Sequence, residues 1–186
     1  MKIRAFFLAL FALACFSLTA PAKTPPVWTM DKPYTNSPLQ RATLTGTATF
    51  NEVQGQAWLI VSCRPDAGKP EVTLRVDKAL AESFPVGKYE GPGGVGEKMR
   101  LLRVAMDQGE SASTYLASGT RQENNTFQWT FTPPQAEMER WINAPGTLVT
   151  LYIRQEDAGA PRLEASFVLP ASNADLAALV RPCYKK

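Results

Sequence analysis

The stretch that most constrains the fold of this chain is Gln56–Cys63, with the sequence QAWLIVSC. It is short and apolar, it contains aromatic and β-branched residues, and turn-forming residues flank it at Gly55 and at Arg64-Pro65-Asp66. A run of this kind predicts a buried β-strand. The strand ends in a cysteine, and Cys183 lies close to the C-terminus. A bond between these two cysteines would tie the strand to the end of the chain.

The N-terminal segment has the features of a cleavable signal peptide. Met1–Arg4 carries two positive charges, Ala5–Leu18 is apolar, and Thr19-Ala20-Pro21-Ala22 supplies small residues for cleavage. The apolar part is shorter than the roughly 20 residues that a membrane-spanning helix needs. We therefore expect residues 1–22 to be removed on export, which leaves a periplasmic protein without a transmembrane segment. An uncleaved anchor and a lipoprotein modified at Cys15 are the alternatives.

The charge balance indicates which classes of partner are unsupported. The chain has 20 Lys and Arg against 17 Asp and Glu, and removing Lys2 and Arg4 leaves 18 against 17. The sequence contains no run of Lys and Arg that could follow a phosphate backbone. We therefore expect neither nucleic acid nor an anionic membrane as a partner. The remaining length suits one domain with its own core.

Cleavage of the leader would remove Cys15 and leave two cysteines in an oxidising compartment. We expect these two, Cys63 and Cys183, to form a disulfide. The alternative is a reactive thiol, which needs a nearby base or a lowered pKa. The sequence contains no histidine that could act as that base.

The residues after the leader, Lys23–Gln40, include four prolines. Because proline fixes φ and removes a backbone donor, this segment is predicted to be an extended arm outside the sheet. Trp28 and Tyr34 could hold the arm on the domain or could contact a partner, and we favour the first.

The rest of the chain, 41–186, is predicted to form a single β-rich domain closed by the disulfide. Arg41–Asn51 alternates threonines with Leu44, Ala48 and Phe50, which is typical of a half-buried strand. Gln54-Gly55 is predicted to form the next turn. Further strands are predicted at Ala57–Cys63, Val72–Val76, Met99–Met106 paired with Ala112–Gly119, Phe127–Phe131, Leu148–Ile153 and Leu163–Leu169.

Two short helices complete the prediction. Pro133-Pro134 precedes Gln135–Asn143, in which Met138, Trp141 and Ile142 share one face. Ser172-Asn173-Ala174-Asp175 has the form of a capping box and is predicted to start a C-terminal helix. Asp77–Ser83 is predicted to form a helical turn. The fold class is therefore mainly β, an antiparallel sandwich or barrel-like sheet with two short helices, one of them C-terminal.

The segment Gly91-Pro92-Gly93-Gly94-Val95-Gly96 fits the pattern G-x-G-x-x-G. A dinucleotide site needs a buried parallel strand before this pattern and a helix after it. Here a proline interrupts the pattern and a strand is predicted to follow. A mobile or sharply turned loop is therefore expected, and no cofactor is predicted.

The order of these elements resembles the VasI family of exported proteins associated with type VI secretion. The similar stretches are Leu59–Cys63, Val72–Val76, Trp129–Phe131, Met138–Ile142, Leu148–Ile153, Leu163–Phe167 and Leu176–Cys183. The resemblance covers most of the chain in layout and few identities, and Ser62 stands where the family usually has arginine. It implies a non-enzymatic periplasmic accessory protein with a disulfide.

A second, shorter similarity concerns Ser118-Gly119-Thr120-Arg121-Gln122. This stretch resembles the S-G-x-x-Y loop of the periplasmic inhibitors of c-type lysozyme, with Gln122 at the position of the tyrosine. It implies an inhibitor or immunity protein against a cell-wall hydrolase.

The residue types give little support to catalysis. Without histidine, the Ser-His-Asp and Cys-His constellations and the commonest metal ligand are missing. Glu137 and Glu139 do not share a helix face, and Asp107 and Glu110 flank a turn. No catalytic residue and no metal site is predicted. A small carboxylate-dependent hydrolase, with two carboxylates brought together from distant strands, is the second alternative.

The function predicted from the sequence is therefore recognition of a protein or cell-envelope component. Loops on a rigid scaffold commonly carry recognition. The two candidate segments are Lys88–Glu97 and Ser118–Arg121. The candidate contact residues within them are Lys88, Tyr89, Glu97, Ser118 and Arg121. The sequence does not determine the oligomeric state.

Overall fold

The computed structural model describes residues 25–65, 68–107 and 111–184. The predicted signal peptide, Cys15, part of the turn after Cys63 and Glu110 lie outside this part of the chain. In it, ten strands form one antiparallel sheet. The strands are β1 (Thr29–Asp31), β2 (Gln40–Phe50), β3 (Val53–Cys63), β4 (Glu71–Val76), β5 (Leu102–Met106), β6 (Ser111–Tyr115), β7 (Ser118–Arg121), β8 (Phe127–Phe131), β9 (Leu148–Ile153) and β10 (Leu163–Val168).

The sheet curls into a half-barrel, which confirms the barrel-like form of the predicted mainly β fold. Its strand order is β6-β5-β9-β10-β2-β3-β4-β8-β7, with β1 paired to β2. The strands at the two ends of this order, β6 and β7, are consecutive in the chain and are joined only by Leu116 and Ala117. So short a connection spans at most about 11 Å. The two edges of the sheet therefore meet at residues 115–118, which we call the seam.

One face of the sheet forms the core. In β2, Leu44, Ala48 and Phe50 are buried, whereas the threonines between them are exposed or half-buried. Phe127, Trp129 and Phe131 of β8 are buried in the same core. The alternation predicted for both segments is confirmed, and the aromatic residues of β8 serve packing.

The described residues contain four short α-helices, whereas the sequence predicted two short helices and one helical turn. They are α1 (Lys78–Ser83), α2 (Val95–Lys98), α3 (Gln135–Ile142) and α4 (Ala174–Val180). In α3 the predicted face is buried through Met138, Trp141 and Ile142. Single 3₁₀ turns cover Val86–Tyr89 and Arg181–Tyr184. None of the helices in the described part of the chain combines the length and apolar character that a membrane crossing requires.

Two predicted strand boundaries were wrong. The turn before β3 is formed by Asn51 and Glu52, where Asn51 adopts a φ of 52°. Gly55 lies inside β3, at a position where a side chain would collide with the carboxylate of Asp77. The strand predicted at 112–119 ends at Tyr115, and the chain then crosses the seam to pair with β8.

The arm and the C-terminal helix also differ from their predictions. Residues 29–31 of the arm pair with Arg41–Thr43 as β1, so the arm contributes to the sheet. Trp28 is buried and Tyr34 is 65 % exposed, so of these two aromatic residues Trp28 is the one that packs the arm on the domain. Asn173 occupies the N-cap position of α4 without capping it, and its side chain bonds elsewhere. The predicted capping box does not form.

The disulfide is confirmed. Cys63 at the end of β3 is bonded to Cys183, with their Cα atoms 5.9 Å apart. Because α4 ends before Arg181, the final 3₁₀ turn places Cys183 next to Cys63 at the end of β3.

Candidate functional site

The two segments predicted to carry recognition pack against each other. The loop of residues 86–98, which we call the 86–98 loop, runs along β7 at the seam. The amide of Gly91 donates to the Gly119 carbonyl at 3.0 Å, and the amide of Ala117 donates to the Gly96 carbonyl at 2.8 Å. Glu90 forms a parallel bridge with Gly119. These backbone contacts fix the loop to the edge of the sheet.

The glycines of this region permit close backbone packing. A Cβ atom at Gly94 or Gly119 would collide with the Tyr89 carbonyl, and one at Gly96 would collide with the Ala117 carbonyl. Gly91 and Gly93 have φ of 73° and 83°, a conformation that favours glycine. The G-x-G-x-x-G pattern thus makes a sharp turn packed on a strand, which is the second of the two forms expected from the sequence.

Tyr89 anchors the loop from inside. Its ring is buried and packs near Phe84 and Trp129, with ring centroids 5.5 and 6.0 Å away. Its hydroxyl donates to the carbonyl of Arg154. Burial, followed by the nearby charge of Glu156, raises the pKa of Tyr89. Of the five candidate residues, Tyr89 is the one whose side chain does not reach the surface.

The other four candidates lie at or near the surface around the seam. Lys88 forms an ion pair with Glu156 at 3.7 Å, and Arg121 forms one with Glu90 at the same distance. Both pairs are solvent-exposed, so each contributes little to stability. Arg121 thereby adds a side-chain contact between β7 and the 86–98 loop.

Glu97 and Ser118 line the same depression. The carboxylate of Glu97 accepts the amide of Gly93 at 2.9 Å, and Ser118 is half-buried at the start of β7. Together they border a cleft of about 460 Å³ at the seam, which we call the seam cleft. The structure thus brings together one residue from each predicted segment.

The seam cleft also contains residues that were missed from the sequence. Its other walls include Arg100, Leu116, Tyr115 and Phe131. Leu116 is 46 % exposed. Tyr115 and Phe131 have ring centroids 5.0 Å apart and close the floor between β6 and β8. Leu116 could have been identified only by recognising that the strand stops at Tyr115, since a leucine in a continuing strand is expected to be core.

A buried polar cluster lies behind Tyr115. Glu137 of α3 is 4 % exposed, and its carboxylate accepts bonds from the Trp141 indole and the Ser113 hydroxyl, both at 2.9 Å. Arg140 donates to the same carboxylate at 3.3 Å. Because these three donors all bond to it, the Glu137 carboxylate has a structural role.

Two neighbouring groups complete this cluster. Burial raises the pKa of Tyr115 to about 12. Its hydroxyl lies near Ser113 and Glu137 and makes no well-aligned hydrogen bond among the described residues. Glu139 points away from Glu137 and pairs with Arg181 at 3.3 Å, as the helical spacing predicts. Within the described ranges, no group of three or more Cys, Asp or Glu side chains could hold a metal ion.

No family model, curated protein or solved structure matches this chain.

Proposed function

We propose that this chain is a non-enzymatic binding protein, acting in the periplasm, that recognises a protein or cell-envelope component. Recognition takes place at the seam surface, which comprises the seam cleft with Lys88 and Arg121 beside it. The observation that carries the proposal is the attachment of the 86–98 loop to β7 by backbone bonds at Gly91, Ala117 and Gly119.

Attachment of the loop matters because ordering a flexible loop on binding reduces affinity. Here the loop conformation is held before any partner arrives. Lys88, Glu97 and Arg121 are exposed on this frame, and Glu97 and Arg100 line the seam cleft with the exposed side chain of Leu116. An apolar side chain surrounded by charged ones is the usual arrangement of a protein-recognition surface.

The chemistry of the cleft favours binding over catalysis. Hydrolysis of a glycoside generally requires two carboxylates on either side of the scissile bond. Among the described residues that line the seam cleft, Glu97 is the carboxylate. The buried carboxylate nearby, Glu137, already accepts three hydrogen bonds.

Two partner classes follow from the resemblances. The VasI-like layout suggests an envelope or secretion component. The inhibitor-like stretch suggests a cell-wall hydrolase instead. In the structure that stretch is mostly β7, where Gly119 is covered and Ser118 and Arg121 stay accessible.

The experiment is an affinity capture from periplasmic extract with residues 23–186 and the disulfide intact. The test variant combines Lys88→Ala, Leu116→Ser and Arg121→Ala. The matched control combines Lys69→Ala and Lys78→Ala, two exposed cations, one in the connection between β3 and β4 and one in α1. Tyr89 is left unchanged because its ring belongs to the core.

A partner captured by the parent and the control and lost by the test variant supports the proposal. The identity of that partner distinguishes a secretion component from a hydrolase. A partner retained by the test variant contradicts the seam surface. Cleavage of cell-wall glycan by the purified protein contradicts the binding function.

A further inference from the structure

The two edge strands of the sheet are protected to different degrees. Exposed edges invite pairing with other chains, and proteins usually cover them or place charges or prolines on them. The edge of β7 is covered by the 86–98 loop through Gly91 and Glu90. The other edge, β6, has the sequence SASTY, which contains no charged residue and no proline.

The hydrogen-bond pattern determines which groups of β6 face outward. The amide of Arg154 donates to the carbonyl of Leu101 at 2.9 Å, so these two form a hydrogen-bonded pair at the end of the β5–β9 ladder. Bonding alternates along an antiparallel strand. Arg103 therefore faces β9, while Leu102 and Val104 face β6.

The partners of Leu102 and Val104 in β6 are Tyr115 and Ser113. The amide and carbonyl groups of Ala112 and Thr114 consequently point away from β5, toward the free edge. Both residues are half-buried, and no described backbone group outside the sheet bonds to them. One of the four outward groups is occupied, since the guanidinium of Arg100 donates to the Thr114 carbonyl at 3.0 Å.

Two arginines surround this edge. Arg100 lies at its end, in the seam cleft, and Arg103 lies directly opposite Thr114 on β5. Among the described residues, no carboxylate pairs with either guanidinium, whereas Arg121, Arg140, Arg162 and Arg181 all have such partners. The edge therefore combines unpaired backbone groups with positive charge.

We infer that β6 accepts an extended segment of a partner polypeptide, which pairs with Ala112 and Thr114 and carries an acidic side chain opposite Thr114. This deepens the proposed function and rests on it, because it names how the partner is held. On the added strand, the acidic residue opposite Thr114 places its side chain on the same face of the sheet as Thr114. Its Cα then lies about 10 Å from the Cα of Arg103, which is two strand spacings away. Arginine and glutamate side chains together span that distance. The amide of the added strand replaces Arg100 on the Thr114 carbonyl, which frees Arg100 for the carboxylate.

Charge argues for this occupant over a second copy of the chain. Two copies paired through β6 about a two-fold axis would bring both sets of Arg100 and Arg103 to one interface. Like charges placed together in this way oppose pairing. An acidic segment neutralises the same charges.

The probe is a capped pentapeptide of sequence TVEVT, added at millimolar concentration to the full exported chain. The readout is the amide NMR spectrum together with hydrogen exchange. We expect the amides of Ala112 and Thr114 to shift and to exchange more slowly. The lysine analogue TVKVT and a TVEVT peptide N-methylated at alternate amides should bind at least tenfold more weakly.

Two protein variants accompany the peptides. Ala112→Pro removes an outward donor without removing a ladder bond, and it should abolish binding, while Ala112→Ser should not. Arg103→Gln should weaken the binding of TVEVT roughly fivefold. It should leave the binding of the uncharged glutamine analogue, TVQVT, unchanged.

Several results overturn the inference. These are unchanged amides at β6, equal binding of the N-methylated peptide, or a concentration-dependent dimer that Ala112→Pro dissociates. If a captured partner is lost by the seam-surface variant and retained by Ala112→Pro, the proposed function stands and this inference fails.

Discussion

The indole nitrogen of Trp28 donates a hydrogen bond to the side-chain oxygen of Asn173 at 3.0 Å, across 145 positions of sequence. The amide nitrogen of the same asparagine donates to the carbonyl of Trp141, also at 3.0 Å. Trp28 and Asn173 are both buried. One asparagine therefore joins the N-terminal arm, the end of α3 and the start of α4.

Replacing this asparagine should loosen all three elements. Asn173→Ala leaves the indole N–H of Trp28 and the Trp141 carbonyl buried without this partner. We expect a loss of about 1–3 kcal/mol in the free energy of unfolding, because an unsatisfied buried group keeps its desolvation cost. Chemical denaturation measures the loss. Tyr34→Ala in the same arm is the control, since Tyr34 is 65 % exposed, and an equal loss there would contradict this account.

Gly119 should be intolerant of a side chain. A Cβ atom there would collide with the Tyr89 carbonyl and lie 2.8 Å from the Phe127 ring. We expect Gly119→Ala to cost about 1–3 kcal/mol, as overpacking does, and to detach the 86–98 loop. Gly87→Ala provides the matched comparison in the same loop, because nothing lies within 4 Å of its Cβ position.

Thermal unfolding and limited proteolysis of the loop provide the measurements. The Gly87 variant should remain within about 0.5 kcal/mol of the parent. Equal behaviour of the two glycine variants would show that close packing on β7 does not hold the loop.

The buried carboxylate of Glu137 should contribute more to stability than the exposed one of Glu139. Glu137→Ala leaves the Trp141 indole and the Ser113 hydroxyl without their acceptor. We expect roughly 3 kcal/mol of destabilisation. Glu139→Ala breaks only its ion pair with the half-exposed Arg181, which is worth about 1 kcal/mol or less. Urea denaturation at neutral pH compares the two, and a larger effect at Glu139 would contradict the assignment.

The disulfide should stabilise the folded protein by an amount that depends on the length of the loop that it closes. Cys63 and Cys183 are 120 residues apart. For a loop of this length the chain-entropy model gives a stabilisation of about 5 kcal/mol, because the bond restricts the unfolded chain. We expect the double variant Cys63→Ala/Cys183→Ala to lose a large part of this in the free energy of unfolding, with α4 the first element to lose protection in hydrogen exchange. Unchanged protection of α4 would mean that its packing alone holds it.

Local patterns in the sequence predicted most of the strands, and long-range contacts account for what they missed. The alternation in β2 and β8 identified the core correctly because each residue faces either the core or solvent. The break after Tyr115 was missed because Leu116 and Ala117 are not turn-forming residues, so no local signal marks the end of the strand. Only the pairing of β7 with β8 reveals that the chain crosses the seam there.

At the candidate site too, local patterns gave part of the prediction and long-range contacts account for what was missed. The sequence predicted Lys88–Glu97 and Ser118–Arg121 as two separate recognition loops. Their packing against each other depends on glycines whose neighbours lie far away in sequence. Tyr89 was predicted to contact a partner because it lies in a candidate loop, and its burial follows from its packing near Phe84 and Trp129. The capping box predicted from Ser172 did not form because α4 begins one residue later, with Asn173 at the N-cap position and its side chain bonded to Trp28.

One buried and one half-buried tyrosine, Tyr115 and Tyr184, should make the protein sensitive to alkaline pH. Burial raises the pKa of Tyr115 and of Tyr184 from 10.0 to about 12. The folded state therefore keeps these protons in a range where the unfolded chain releases them. Their stabilising effect is complete below pH 10, declines as the pH rises from 10 to 12, and is lost above the folded-state pKa.

The measurement is the free energy of unfolding as a function of pH, for the parent and for Tyr184→Phe. The variant loses the hydrogen bond to the Pro133 carbonyl, so it should be less stable at neutral pH. It should also lose stability less steeply between pH 10 and 12, because one group no longer ionises. Other groups contribute equally to both proteins, so the difference between the two curves is the informative quantity. Tyr34→Phe, at an exposed position, should follow the parent, and parallel curves for the parent and Tyr184→Phe would show that Tyr184 ionises equally in both states.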